Sequence, residues 1–183
     1  MIITIDLHKF TLNNLFILDT KPNIIMDGNF TKIIYSNLLF TMNGLYILFP
    51  ISGVSVELVY TTRKINFNPY LPSNLKIVQD FAKLEYNILE NYKQTRHCSC
   101  KISNLLSKTM YSGFIKLYKE YNKLESLAVT QQPISTMPRG CEQSDQNCSI
   151  QPQYIIKISG IWESNTEIGL TYKLFEANEN YIC

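Results

Sequence analysis

The sequence predicts an α+β fold: an antiparallel β-barrel-like or β-sandwich core of hairpins, with one or two inserted helices. Three observations lead there. β-rich runs punctuated by turn residues recur between Ile2 and Tyr60 and return from Ile155 to Phe175. Between them the apolar period changes, with Ile77, Phe81, Leu84, Ile88, Leu89 and Tyr92 three and four apart, as on one helix face. The length of 183 residues, 45% hydrophobic, suits a single domain over residues 1–183. Charged residues make up 17%, below the roughly 25% of average soluble chains, and aromatic residues 12%, which excludes a disordered chain.

Taken in order, Ile2–Leu7 is β-rich and opens the fold. Asp27-Gly28 is a turn, and Phe30–Ser36 follows as a strand. Leu38–Met42 and Leu45–Phe49 flank Asn43-Gly44, a pair that tolerates the positive φ of a type I′ turn, so this is the best-marked hairpin. Val54–Tyr60 continues the sheet with Val54, Val56, Leu58 and Tyr60 on one face. Pro69 and Pro72 end the β-run, and Ser73 or Asn74 can cap the helix that follows. Ile102, Leu105, Leu106, Thr109 and Met110 predict a second, shorter helix closing before Gly113. Residues 114–127 fit a helix through Phe114, Leu117, Tyr121 and Leu124, and fit a strand equally well through Phe-Ile-Lys-Leu-Tyr. Residues 128–152, rich in Gln, Ser and Pro, read as an exposed loop of a length that is uncommon without a function. Ile155–Trp162 and Glu167–Phe175 close the fold as a hairpin around Ser164-Asn165-Thr166.

Ile33–Val56 contains no charged residue, and about 20 apolar residues can span a bilayer. Ser36, Asn37, Thr41, Asn43-Gly44 and Pro50 interrupt it, which predicts buried β-structure and no membrane insertion. The first residues lack the basic and apolar regions of a secretory signal. Five cysteines, an odd number, then point to reduced thiols in a cytosolic compartment, where the Asn29-Phe30-Thr31 and Asn147-Cys148-Ser149 sequons stay unused.

Little supports an enzyme. The two histidines, His8 and His97, lie far apart, and no Gly-rich phosphate loop, nucleophile elbow or His-Glu-x-x-His is present. Adjacent His97 and Cys98 do not point at one substrate atom, and Glu163 and Glu167 bracket a solvated turn. No cofactor is expected. Cys98, Cys100, Cys141 and Cys148 could supply four soft ligands to a structural zinc. Their spacings of one and six intervening residues fall outside the usual two to four, so free thiols are the favoured expectation.

Charge is uneven although its net value is only +2. Residues 91–123 hold Lys93, Arg96, Lys101, Lys108, Lys116, Lys119 and Lys123 against Glu120 alone. Among them stand Tyr92, Tyr111, Tyr118 and Tyr121. Cations neutralise phosphates and aromatic faces stack on unpaired bases, a combination that suits single-stranded nucleic acid. The expected interface is Lys93, Arg96, Lys101, Lys108, Tyr111, Lys116, Tyr118, Lys119 and Lys123, with Tyr92 and Tyr121 held in reserve as core residues. The same pattern also describes a solvated helix face with lysines for solubility.

Phe30–Ser36 with Phe40–Tyr46, and Lys157–Glu163 with Ile168–Lys173, resemble hairpins of small proteins of nucleocytoplasmic large DNA viruses, African swine fever virus among them. The Trp162 strand and Gly169-Leu170-Thr171-Tyr172 also resemble the closing strands of viral single-strand-binding barrels. The resemblance brings no catalytic residues. It implies a host-cytoplasmic setting, in viral factories or virions, and heavy use of Asn, Ile, Lys and Tyr fits an AT-rich viral genome. The expected function is a non-enzymatic viral binding protein for single-stranded nucleic acid or a replication or transcription partner. The alternative is a virion structural or assembly protein working through homo-oligomeric contacts.

Overall fold

A computed structural model describes residues 3–23, 27–118 and 152–177. Within them the chain forms β1 (Leu15–Pro22), β2 (Asn29–Ser36), β3 (Thr41–Met42), β4 (Leu45–Leu48), β5 (Ser55–Val59) and β6 (Thr62–Asn66). Then come α1 (Pro72–Arg96), β7 (Lys101–Ile102), α2 (Leu105–Ser112), β8 (Phe114–Tyr118), β9 (Gln153–Glu163) and β10 (Glu167–Ala177). The fold is α+β, as its sequence predicts. All ten described strands join one sheet in the order β1-β2-β9-β10-β8-β6-β5, with β3 on β2, β4 on β9 and β7 on β10.

The sheet is open and mixed, which corrects the barrel-like, wholly antiparallel expectation. β1 and β5 end it at opposite edges, and both β7 and β8 run parallel to β10. A barrel shields its face by closing on itself; here the 25-residue α1 and the shorter α2 cover one face instead. Val78, Phe81, Leu84, Ile88, Leu89 and Tyr92 of α1, with Leu106 and Met110 of α2, meet Ile33, Leu45, Ile47, Ile65, Ile115, Ile156, Ile158 and Leu170 of the sheet in one core. Each such side chain contributes about 1.5–3 kcal/mol by leaving water. Phe49 meets Phe67 and Phe81 edge-on at 5.8 and 5.4 Å. The fully buried Glu85 of α1 accepts from the backbone N–H groups of Leu106 (2.9 Å) and Ser107 (2.8 Å) and from the Ser107 hydroxyl. It thereby caps α2, whose own N-cap Asn104 makes no side-chain capping bond.

Several local expectations change. Asn43-Gly44 is a turn, with Gly44 at φ 98°, but the segments it joins do not pair: β3 extends β2 while β4 moves on to β9. β9 is long enough to hold β2 along Gly160–Glu163 and β4 along Ile155–Ile158, and the extra residue Ser159 bulges where one partner hands over to the other. The tight reversal lies earlier, at Asn37–Phe40, where the Asn37 carboxamide oxygen accepts from Leu39 and Phe40 and leaves Leu38 exposed at the tip. Among the described residues the opening β-rich run contributes only a single bridge, Ile5 to Ile47. Val54–Tyr60 does contain strand β5, yet as an edge strand it stays exposed throughout. β6 follows a reversal at Tyr60, at φ 55°, a residue type that carries no turn signal in the sequence. Asn74 does not cap α1; it is buried, accepting from the Ser52 N–H and donating to the carbonyls of Ser52 and Asn68. Gly113, at φ 75°, closes α2, and residues 114–118 are strand. Of the loop expected at 128–152, residues 128–151 lie outside the described residues, as do residues 119–127, whereas β9 and β10 form the expected hairpin. The uncharged Ile33–Val56 stretch is spread over strands of this sheet, and among the described residues no helix is long and apolar enough to cross a membrane.

Candidate nucleic-acid interface

Because side chains alternate along a strand, burying one sheet face under helices leaves every second residue on the other. Strand register then decides which of these meet. Phe30, Trp162 and Gly169 form one cross-strand row, and Lys32, Gly160 and Thr171 the next. Tyr46, Lys157 and Lys173 form a third, and Leu48, Ile155, Phe175 and Tyr118 a fourth. Lys116 lies two residues before Tyr118 on β8, opposite Lys64 of β6, which in turn faces Glu57 of β5.

Two features make this face more than lysine cover. The Lys116 and Lys173 ammonium groups both sit over the Tyr118 ring, 4.9 and 5.3 Å from its centre, and Lys157 sits 4.8 Å over Tyr46. Tyr118 also meets the Phe175 ring at 6.4 Å. Glycine lets other rings lie down on the sheet: a Cβ on Gly160 would come within 2.5 Å of the Phe30 ring, and one on Gly169 within 2.5 Å of the Trp162 indole. Trp162 is the chain's single tryptophan. A groove of about 570 Å³ beside Lys21, Phe30 and Lys32 indents the same face.

The residues expected from sequence divide. Lys116 and Tyr118 lie on this face. Lys93, Arg96, Lys108 and Tyr111 stand on the two helices that cover the opposite one, and Lys101 opens β7 at its pairing with Glu167. Arg96 is committed to a structural bond, its guanidinium donating to the Leu18 carbonyl at 2.7 Å. Lys119 and Lys123 lie outside the described residues. Charge counting along the chain missed Lys32, Lys157 and Lys173 because they come from distant strands that only register unites. The alternation of Lys157 and Lys173 with buried isoleucine and leucine was the available signal.

A second cluster lies at the C-terminal end of α1. Cys98 and Cys100 approach Glu163 at the end of β9, with ligand atoms of all three within 4.8 Å of one another. The Cys100 thiol is pushed up to about 11, first by its hydrogen bond with Cys98, then by burial and by the nearby Cys98 and Glu163 charges. Cys141 and Cys148, the other half of the four cysteines that could hold a zinc but were expected as free thiols, lie outside the described residues. Glu163 does not face Glu167; its Oε2 accepts from the Tyr92 hydroxyl at 2.8 Å. Burial raises the Tyr92 phenol above its usual 10.0, and Glu163 adds to this against a lowering bond from Thr31.

No family model, curated protein or solved structure matches this chain.

Proposed function

We propose that this protein is a non-enzymatic module that binds single-stranded nucleic acid on the helix-free face of its sheet. The observation that carries the reading is the Tyr118 ring flanked by Lys116 and Lys173, continued across the sheet by Lys157 with Tyr46 and by the flat Trp162 and Phe30 rings. Phosphates need cations and unpaired bases need aromatic faces; here both alternate over neighbouring strands about 4.8 Å apart. Neither feature reads base edges, so binding is expected to tolerate any sequence. With the resemblance of its hairpins to those of large DNA virus proteins, the proposed setting is the host cytoplasm, at viral factories or in virions. The test is fluorescence anisotropy of a labelled single strand titrated with protein at several salt concentrations. Affinity that falls steeply with salt and prefers single over double strands supports the reading; salt-independent binding, or none at low salt, overturns it.

A virion structural or assembly role is favoured by a different observation. β5 is an edge strand with Leu58 70% exposed and Tyr60, just past its end, 93% exposed, and such an edge invites pairing with a second copy. Light scattering should then show an oligomer that Leu58→Lys dissolves; a monomer at all concentrations removes this role.

A further inference from the structure

We propose that Cys98, Cys100 and Glu163 form a binding site for one zinc ion, with a fourth coordination position left to water. The geometry is that of a tetrahedral ion's ligand shell. Zinc–sulfur bonds of about 2.3 Å and zinc–oxygen bonds of about 2.1 Å set a sulfur and an oxygen roughly 3.6 Å apart around a tetrahedral centre. One carboxylate atom, Glu163 Oε1, lies 3.6 Å from Cys98 Sγ and 3.9 Å from Cys100 Sγ. The two sulfurs lie within 4.8 Å of each other, close enough to share an ion after a small adjustment.

The elements explain how a spacing too short for an ordinary zinc knuckle serves here. His97, at φ 53°, takes the left-handed conformation that ends α1, and Cys98 donates its backbone N–H to the Lys93 carbonyl. The chain then leads into β7, and the Cys98 sulfur turns back to accept from the Cys100 N–H, which sets the two thiols side by side. β7 pairs with the start of β10, which brings this turn against Glu163 across the β9–β10 reversal. The carboxyl-terminal end of a helix also carries partial negative charge that favours a cation.

The surroundings are those of held ligands rather than loose thiols. The Cys100 backbone N–H donates to Cys98 Sγ at 3.2 Å, which fixes where that sulfur points. Glu163 keeps Oε1 toward the sulfurs because Oε2 is held by Tyr92. Tyr92 OH is itself 3.1 Å from the Thr31 hydroxyl, which lies 2.8 Å from that of Thr20, so a chain of hydroxyls from three elements orients the carboxylate. On binding, each thiol releases its proton and both sulfurs and Oε1 donate to the ion. No oxidation state changes. The ion would tie the end of α1 to the β9–β10 turn, and its fourth position would hold a water that the Lewis-acidic zinc makes more acidic.

The experiment uses the full chain, reduced and stripped of metal, titrated with zinc against a chromophoric chelator and with cobalt(II) by absorption. We expect one equivalent of zinc and a tetrahedral cobalt spectrum with thiolate charge-transfer intensity for two sulfurs. Cys98→Ser with Cys100→Ser should abolish both signals. Tyr92→Phe, which keeps all three ligands, should weaken zinc about 10-fold, the lower end of what losing an outer-shell partner costs. The proposal is overturned by no saturable zinc binding. It is overturned equally by cobalt intensity for four thiolates, which would add at least two of Cys141, Cys148 and Cys183 to the ligands in place of Glu163, or by unchanged stoichiometry in the double variant, which would move the metal to those three cysteines. Circular dichroism of each metal-free variant checks its fold, and the cobalt intensity of the unmutated chain decides the outcome if the double variant fails to fold.

Discussion

Removing the cations on either side of Tyr118 is the sharpest test of the sheet face. Lys116 and Lys173 come from different strands and both rest over one ring, so Lys116→Ala with Lys173→Ala removes two phosphate-neutralising charges at a single place. Lys32 and Lys157 bring the central cations of the face to four, while Lys64 is set opposite Glu57 and is not counted. For single strands the slope of log affinity against log salt is about −0.7 per neutralised phosphate. Four contacts therefore predict a slope of about −2.8, and the double variant about −1.4. Between 50 and 200 mM salt these amount to losses of roughly 50-fold and 7-fold respectively. The assay is anisotropy over that salt range, with Lys76→Ala and Lys83→Ala on the exposed side of α1 as controls expected to leave the slope nearly unchanged. An unchanged slope in the Lys116/Lys173 variant would refute the reasoning. A slope that instead falls with Lys93→Ala and Lys108→Ala would move the interface to the helices.

Other expectations follow from the same geometry. Trp162 lies on the proposed face and is the single tryptophan, so saturating single strand should quench the protein's tryptophan emission; unaltered emission at saturation would place the ligand elsewhere. Tyr118→Ala should weaken binding by about 1–3 kcal/mol at constant salt slope, because it removes stacking and no charge. Glu85→Ala leaves the buried N–H groups of Leu106 and Ser107 without an acceptor. A cost of about 3 kcal/mol lowers the melting temperature of a domain this size by roughly 6–12 °C, and calorimetry showing under 2 °C would contradict the capping role. Burial raises the Tyr172 phenol above 10.0, against the lowering effect of its bond to Thr109. The folded state thus holds this proton more tightly than the unfolded chain, so its contribution is present below pH 10 and lost as pH rises toward the folded value. Denaturant titrations should show stability falling above pH 10, less steeply in Tyr172→Phe.

What the sequence determined by itself was whatever is set within a few residues of chain. The apolar spacing from Ile77 to Tyr92 made α1, Gly113 ended α2, and the alternation on either side of Ser164–Thr166 made the last hairpin, because helix, cap and strand each bury a face defined by local periodicity. Tertiary structure alone decided what those pieces meet. Asn43-Gly44 dictated a turn but not that β3 and β4 would part for β2 and β9, since backbone groups pair with whichever strand completes the sheet. β5 has the composition of a buried strand and lies exposed at an edge, for its alternation states which residues share a face and not whether anything covers it. The candidate sites show the same division. Lys116 and Tyr118 could be singled out from a basic, aromatic segment, whereas Lys173 reaches the same ring only because β10 lies beside β8. Cys98 and Cys100 were visible as ligands, but Glu163 joins them because β7 pairs with β10 and places two distant turns together.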